Sequence, residues 1–562
     1  MGIGGAYARA CGRSSVGSGS RPVAIPGADT KGLTASAWSP LYQPVFRALW
    51  VAAVASNVGT WMHDVGAVWL MTSLTPSPIM VALMQTATSL PFFLLALPAG
   101  ALADVVDRRR LLLVTQWWMV AAAAVLGVLT LASLTTPWWL LALTCVLGVG
   151  AAMNAPAWQA MTPELVPREE VSSAVALSGV GLNLARAVGP ALGGFIVAAS
   201  GPSAVFLLNA LSCVGVIVVL YRWQRPPRHR ALPPEHLVGA MQAGIRFVRH
   251  APAFRTVLVR AAVFILCGSA LWALLPLSAR REMGLDAVGY GVLLGCLGAG
   301  AVSGAAVLPW VRRRVVVDRL AIGATVVFAL VTVALAALRE VTWLSGVLFV
   351  GGGAWIALMS SYNAAAQAAA PAWVRARALA VYLLVFQGGM AAGSALWGAV
   401  AARTGIPIAL TVAGAGLLLG LLAATRYRLA GGAMLDLTPS LHWPQPAVTI
   451  EPPAEDGPVL ITVEYRIDAM HAGDFAGAMR EVRLERLRDG ALRWELFHDP
   501  ADPPRYVETF LVESWVEHLR QHERVTLSDR EAETRARALH RGPTSAAVSH
   551  LVAVRLTAGE IV

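Results

Sequence analysis

Charge is scarce in this chain. Only 14% of its 562 residues are Asp, Glu, Lys or Arg, and Lys31 is the sole lysine. A soluble protein of this length carries far more charge on its surface. Cysteine is scarce as well. Of five, Cys145, Cys213, Cys267 and Cys296 fall inside apolar runs, and no pair has metal-ligand spacing. They read as small packing residues, so neither a disulfide framework nor a metal centre is expected. No Gly-x4-Gly-Lys-Ser/Thr loop occurs anywhere, so any work the chain performs draws on something other than such an ATP site. No short apolar core with a cleavage site precedes the first long apolar run, which argues against a signal peptide.

What is present is apolar length. The chain is 56% hydrophobic with a mean hydropathy of +0.61. Twelve runs are expected to cross a bilayer, at roughly 46–71, 79–103, 111–134, 138–160, 172–199, 203–221, 256–279, 287–309, 318–338, 342–366, 377–402 and 407–427. Each is long enough for a hydrocarbon core of about 30 Å. The sequence also repeats itself. Arg108-Arg109-Arg110 returns 204 positions later as Arg312-Arg313-Arg314, and the same offset carries Gly100 onto Gly304, Gly189 onto Gly393 and Gly201 onto Gly405. Two homologous six-span halves are the build of a rocking secondary transporter.

The net charge of +11 does not call for nucleic acid, because the arginines stand in short clusters beside apolar runs. The even-numbered connections hold Arg108–Arg110, Arg168, Arg222-Arg225-Arg228-Arg230, Arg312–Arg314, Arg375 and Arg377. Most odd-numbered connections are bare, with Arg280-Arg281 the exception. Positive residues stay inside, so both termini are expected in the cytoplasm of a cell-membrane protein.

The expected organisation is a disordered cytoplasmic N-terminus (1–45), a first transmembrane half (46–221) and a cytoplasmic linker (222–255). A second half (256–428), a Pro-rich linker (429–458) and a cytoplasmic tail domain (459–556) follow. In the first linker, Leu237, Met241, Ile245 and Val248 recur at helical spacing among Arg246, Arg249 and His250. That pattern fits an amphipathic helix on the cytoplasmic leaflet or an ordinary linker helix. The tail reads βαββαβ, predicting an α+β ferredoxin-like domain behind an otherwise all-α polytopic chain.

Three constellations carry candidate chemistry. After span 2, Gly100, Leu102, Asp104, Arg108 and Arg109 put a carboxylate beside a fork of guanidiniums at the membrane edge. Such a charge network can hold one packing of the helix ends and release another, although arginines there also serve as plain topology signals. In span 5, Gly189, Pro190, Gly193 and Gly194 allow close helix contact and a kink. In span 1, Asn57, Trp61 and Asp64 share one helical face, with His63 off to the side.

A charged Asp within a span is costly unless it faces a wet cavity or takes a proton, so Asp64 is the first candidate for proton coupling. Arg186, read as the one firmly intramembrane arginine, is a partner for Asp64 or for an anionic solute, and His63 is a further coupling candidate. Asn154, Gln159, Asn363 and Gln367 occupy matching places in spans 4 and 10 and line a cavity or stitch helices together. Trp61, Trp158, Trp272 and Trp355 offer π surface for a flat organic solute.

On these motifs the chain resembles the major facilitator superfamily. Gly100, Leu102, Asp104, Arg108 and Arg109 match its loop signature, while Val105 and Asp107 depart from it. The Gly189-Pro190-x2-Gly193-Gly194 segment is similar to the antiporter motif of exporting members, with Ala176 and Ala185 where glycines are usual. Thr144 stands where drug/proton antiporters place an arginine, so that coupling route is closed. Asn57-x3-Trp61-Met62, Asn154-Ala155-Pro156-Ala157-Trp158 and Phe386-Gln387-Gly388-Gly389-Met390 resemble the transmembrane secretion effectors, which include siderophore exporters.

Glu513-x-Trp515-x2-His518-x3-His522 in the tail is similar to antibiotic-biosynthesis monooxygenases, dimeric α+β barrels. That likeness implies self-association, with Phe497, Phe510 and Trp515 as interface candidates. His518 and His522 lack a third metal ligand and read as helix-surface or interface residues. The resemblance implies a carrier rather than an enzyme, moving a small organic solute with protons across the lipid bilayer without any cofactor. An uptake carrier of the same fold and a membrane-tethered enzyme using the tail are the alternatives.

Overall fold

The computed structural model describes residues 38–223, 237–429 and 436–554, apart from 445, 447, 451, 543 and 544. Of the stretch 1–45 expected to be disordered, residues 1–37 lie outside the described residues, as does the basic run Arg225–Arg230, whereas Ser39–Tyr42 form a 3-10 turn and the first helix already begins at Pro44. The first six helices are α1 (Pro44–Leu74), α2 (Pro78–Val105), α3 (Arg108–Leu131), α4 (Pro137–Met161), α5 (Val171–Ser200) and α6 (Pro202–Arg222). After α7 (Leu237–His250) come α8 (Pro252–Leu277), α9 (Ala287–Arg312), α10 (Val317–Ala337), α11 (Val341–Ala368) and α12 (Arg375–Thr404). The series ends with α13 (Ile406–Gly420) and the short α14 (Leu422–Arg426).

Their starts follow local rules. Proline opens α1, α2, α4, α6 and α8, where its missing N–H costs nothing. Asp107 caps α3 by accepting from the Arg110 amide at 2.9 Å, and Asp286 caps α9 from the Gly289 amide at 2.8 Å. Gly201 and Gly405, 204 positions apart, turn the chain from α5 into α6 and from α12 into α13 at φ of +81° and +90°. Both glycines adopt a conformation that side chains disfavour.

Among the described residues, eleven helices are long and apolar enough to cross a membrane. The twelfth expected span, α1, falls outside that set. Asn57, His63 and Asp64 lower its hydropathy, although its 31 residues pack against α5 and α6 within the bundle. The chain is therefore a multi-pass membrane protein. The closest packing between the two sets of helices runs through α5 with α9 and α2 with α12.

Of the two readings of the first linker, α7 fits the ordinary linker helix. Its expected apolar stripe included Ile245, which is exposed, whereas Ala243, Gly244 and Phe247 are buried. The buried side packs against α12 and the tail, so protein rather than lipid covers it. Phe247 meets Trp373 edge-on at 6.2 Å.

The tail comprises β1 (Val459–Arg466), α15 (Ala472–Asp489), β2 (Arg493–His498) and β3 (Arg505–Val512), followed by α16 (Trp515–Arg524), α17 (Leu527–Ala538) and β4 (Ala547–Val552). The strands form one antiparallel sheet in the order β2-β3-β1-β4. Alternate residues Val459, Ile461, Val463 and Tyr465 of β1 face a core with Phe475, Met479 and Val482 of α15. Phe510 and Trp515 belong to that core, each about 97% or more covered, so neither is free to form a self-association surface. Period-2 alternation puts Phe510 on the inward face, and only Phe497 of the three is exposed.

The Pro-rich linker is not a loose tether. His442 and Trp443 both bond Glu533 of α17, and the Ser440 amide donates to Val525. Arg246 of α7 pairs with Glu517 of α16 at 3.1 Å, and the Arg524 guanidinium lies 4.5 Å from the Trp373 ring centre. The tail is thus fastened to the second set of helices.

Histidines set its pH limit. His518 is buried, which excludes the helix-surface alternative of the sequence reading. It packs against His522 and His550 with ring centres 4.9 and 4.8 Å away. Burial, reinforced by the neighbouring imidazoles, lowers His518 to about 3 and His522 to about 4. Both are neutral in the folded tail but take protons near 6.5 once unfolded, so stability is full above that pH and is lost as pH falls towards 4.

Glu533 and Asp529, held low by Arg486 and Arg488 despite burial, add losses at lower pH still. Glu485 and Asp489, raised by burial, oppose this trend, while His550, lowered by burial, adds to the histidines' side. Hydrogen exchange of tail amides in the full chain should therefore speed up between pH 7 and pH 5, with a shallower trend in His518→Asn. Exchange indifferent to pH, after correction for its intrinsic rate, would contradict this account.

Candidate functional site

A cavity of about 580 Å³ opens between the two sets of helices. From the first set it receives Trp61 and Asp64 of α1, Gln85 and Phe92 of α2, Thr144 of α4 and Arg186 of α5. From the second come Trp272 of α8, Tyr290 of α9, Trp355 and Asn363 of α11, and Tyr382, Phe386 and Gln387 of α12. The helical face expected on α1 delivers Trp61 and Asp64 to this cavity. Asn57, about two turns earlier, instead lines a separate 40 Å³ pocket with Trp50 and Trp158.

The other expected residues divide. Asn363 reaches the cavity wall, but Gln367, which donates to Asn363, does not line it. Asn154 stitches helices: its side-chain oxygen accepts from Thr115 at 3.1 Å and Gln116 at 3.4 Å. Gln159 is exposed away from the cavity lining. His63 is buried against Phe206 of α6, with ring centres 4.7 Å apart and neither nitrogen bonded, so it faces the helix packing rather than the cavity.

Arg186 does not pair with Asp64. Its guanidinium carbon lies 5.4 Å from the Trp61 ring centre, within cation–π range, and among the described residues it makes no ion pair. Its Nε has no acceptor, and the same holds for Trp272 Nε1 and, as donor or acceptor, for Thr144 Oγ1. All three groups belong to cavity-lining residues.

One end of the bundle is tied shut across the two sets of helices. Arg280 Nη1 donates to Thr72 Oγ1 at 2.8 Å, its guanidinium lies 5.0 Å from the Trp69 ring centre, and Trp69 stacks on Tyr290. Arg281 donates to the Pro76 carbonyl. These two arginines were the exception to the charge bias, and the bonds they make across the helix ends account for it.

The glycine motif of α5 works at the same end. A Cβ on Gly193 would sit 2.8 Å from Met62 Cα, and one on Gly194 would sit 2.5 Å from the Ala287 carbonyl of α9. Gly189 admits the Trp61 Cβ in the same way, at 2.5 Å, so the motif also seats Trp61. Pro190 lies inside α5, and its carbonyl faces Gly291 of α9.

At the opposite end the loop motif is bound within the first set of helices. Arg108 pairs with Glu164 at 2.6 Å and donates to the Ala160 carbonyl, while Arg109 donates to the Leu220 and Tyr221 carbonyls. The Asp104 side chain lies outside the described residues. Leu102 packs beside Leu111 and Leu112, whereas Gly100 has no neighbour within 4 Å of a Cβ, so close backbone approach is not its role here.

Sequence reading missed Arg260. It is buried in α8, paired with Asp318 of α10, and so Arg186 is not alone within the helices. Asp318 also accepts from the Leu429 amide, which anchors the start of the linker. The expected span began only at 256, which made Arg260 look like a flanking charge; the proline at 252 was the available signal for the earlier start.

With a two-set bundle and a central cavity established, comparison with known proteins decides the family. The transmembrane secretion effector family matches residues 35–557, nearly the whole chain and the tail with it. The chain belongs to that family. It is 26% identical over 321 residues to the enterobactin exporter EntS of Salmonella typhimurium, covering 57% of this chain and 76% of EntS. An uncharacterized MFS-type transporter of Bacillus subtilis, YfiS, is 25% identical over 40% of this chain and 55% of its own length. The staphyloferrin A transporter of Staphylococcus aureus is 26% identical over 29% of this chain and 41% of its own. The chain thus spans only about half the length of these last two.

Among solved structures, an inward-facing bacterial homologue of the lysosomal transporter Spinster aligns with a TM-score of 0.55 at 14% identity, over 70% of this chain and 96% of that one. An inward-facing bacterial homologue of ferroportin gives 0.53 at 16% identity, over 68% and 98%. These likenesses establish the fold. The chain has the fold of these transporters, and its relatives are transporters rather than enzymes.

Proposed function

We propose that the protein is a proton-coupled exporter of small organic solutes, working by alternating access in the bacterial inner membrane. The observation that carries this reading is the central cavity, where Asp64 and Arg186 stand among aromatic walls without neutralising each other. In this reading α1 is the twelfth span, tolerated despite its polarity because Asp64 faces the cavity. Residues 46–221 and 256–428 are the two halves, both termini are cytoplasmic, and the Arg280 end is external. The conformation is then inward-open, with Arg280, Arg281 and the α5–α9 crossing as the closed outer gate.

Export rather than uptake is favoured by the Gly189-Pro190-x2-Gly193-Gly194 segment and by a relative named as an enterobactin exporter, and a second relative is named as a staphyloferrin A transporter. Siderophores or other secondary metabolites are accordingly the solutes to try first. The Arg108–Glu164 pair is the inward-open arrangement of the loop motif, released or rebuilt when the halves rock. Residues 459–556, whose strand order is that of a ferredoxin-like sheet, form a regulatory domain. Its outer face, with Leu460, Val507, Leu511 and Phe497, is the surface available for pairing with a second copy.

The test is transport in proteoliposomes. An imposed proton gradient should drive accumulation of an exported solute at least tenfold above the level with the gradient dissipated. Accumulation unaffected by dissipation would remove proton coupling from this reading.

A further inference from the structure

The central cavity is lined by an arginine, Arg186, that has no carboxylate partner among the described residues. Arg186 Nε and Trp272 Nε1 are buried, have no acceptor among the described residues, and can only donate. They come from opposite halves, α5 and α8, yet line one space. Burying a donor without an acceptor is costly, and for a guanidinium the cost is greater still. Such groups persist where a passing ligand supplies the acceptor.

The position of Arg186 is set from both sides. A Cβ on Gly298 of α9 would sit 2.6 Å from the Arg186 carbonyl, so the partner half's backbone lies directly against α5 at that residue. Gly189, one turn on, admits Trp61, over which the guanidinium is laid at 5.4 Å. Across the cavity Trp272 meets Trp355 edge-on, with ring centres 5.3 Å apart at 64°. The cavity therefore offers flat π surface from both sets of helices, with a guanidinium at the wall of the first.

We infer that the solute is a planar aromatic anion, its anionic group held by Arg186 and its ring lying between Trp61 and the Trp272–Trp355 pair. This rests on the transporter reading and assigns the class of solute to the same cavity. A neutral ring leaves the guanidinium unanswered, and an aliphatic acid leaves the indoles unused. Asp64 makes no ion pair with Arg186, so anion binding leaves that carboxylate free to carry a proton. Because the two orphan donors sit on opposite halves, one bound anion spans the moving interface.

Three probes separate these terms on the purified full-length protein: 1-naphthoate, its neutral counterpart 1-naphthamide, and octanoate. Tryptophan quenching should show 1-naphthoate binding at least tenfold more tightly than either comparator. Arg186→Gln should bring it down to the level of 1-naphthamide, Arg186→Lys should keep part of the preference, and Trp272→Phe should weaken binding several-fold. Equal binding of the three probes by the wild type overturns the assignment, and needs no variant to fold.

Failure of the transporter reading looks different. It would be tight, Arg186-dependent binding of 1-naphthoate with no gradient-driven flux in proteoliposomes, which supports the site while sinking transport. Gradient-driven flux of another solute, with no preference among the probes, sinks the anion assignment alone.

Discussion

Replacing Asp64 by Asn is expected to stop gradient-driven efflux while leaving solute binding within about twofold of normal. Asp64 is the cavity's one carboxylate among the residues that line it, and no guanidinium neutralises it. A charged Asp within a span costs about 2.5–3.5 kcal/mol on insertion scales, so proton uptake from the cavity is a low-cost way to cross the low-dielectric state. One charge moved across 100 mV supplies about 2.3 kcal/mol, enough to bias solute distribution by more than tenfold. Asn keeps the shape and hydrogen-bonding capacity of the side chain but cannot exchange the proton. The expected signature is efflux reduced at least tenfold alongside preserved solute counterflow, which needs rocking but no net proton movement. Efflux in the variant that still follows the proton gradient would remove Asp64 from the coupling role.

How much of this was legible beforehand depends on how local the signal is. Helix positions were readable because an apolar run of bilayer length is a local property, and prolines mark the starts of α1, α2, α4, α6 and α8. Trp61 and Asp64 were readable as cavity residues because their spacing puts them on one helical face. The same periodicity misled at Asn57, since a face extends along a helix whereas a cavity has finite depth, and Asn57 falls in the smaller pocket beyond it. Periodicity also says nothing about which neighbour covers a face. Thus the pattern of α7 leaves open a leaflet helix or a linker helix, which the cover of α12 and the tail decides, and that of His518 leaves open helix surface or interface, where His522 and His550 enclose it.

Pairings between distant residues were the least accessible. Of the two partners offered for Arg186, Asp64 does not pair with it, and Arg108–Glu164 and Arg260–Asp318 depend on helix ends meeting in space. The tail's attachment through Arg246–Glu517 joins residues 271 positions apart, and no spacing in the chain announces it.

Adding a side chain at Gly194 or Gly398 is expected to reduce transport at least tenfold by preventing closure of the outer gate. The two glycines stand 204 positions apart, on α5 and α12, and each seats its helix against the opposite half. A Cβ on Gly194 would lie 2.5 Å from the Ala287 carbonyl of α9, and one on Gly398 would lie 2.4 Å from Ala82 Cβ of α2, with Ile79 Cα at 3.2 Å. Backbone atoms cannot step aside as a flexible side chain can, so a valine at either position forces the helices apart. Because the gate at Arg280–Thr72 and Arg281–Pro76 lies at the same end, it opens with them. A Val68→Cys reporter, in the cavity lining one turn from Thr72, should therefore resist an impermeant maleimide added outside in the parent carrier and react in Gly194→Val and Gly398→Val. Gly179→Ala, on α5 with nothing within 4 Å of the added carbon, is the matched control and should transport normally. Normal transport by both valine variants would mean that these crossings separate during the cycle at no cost, leaving the glycines with no part in the gate.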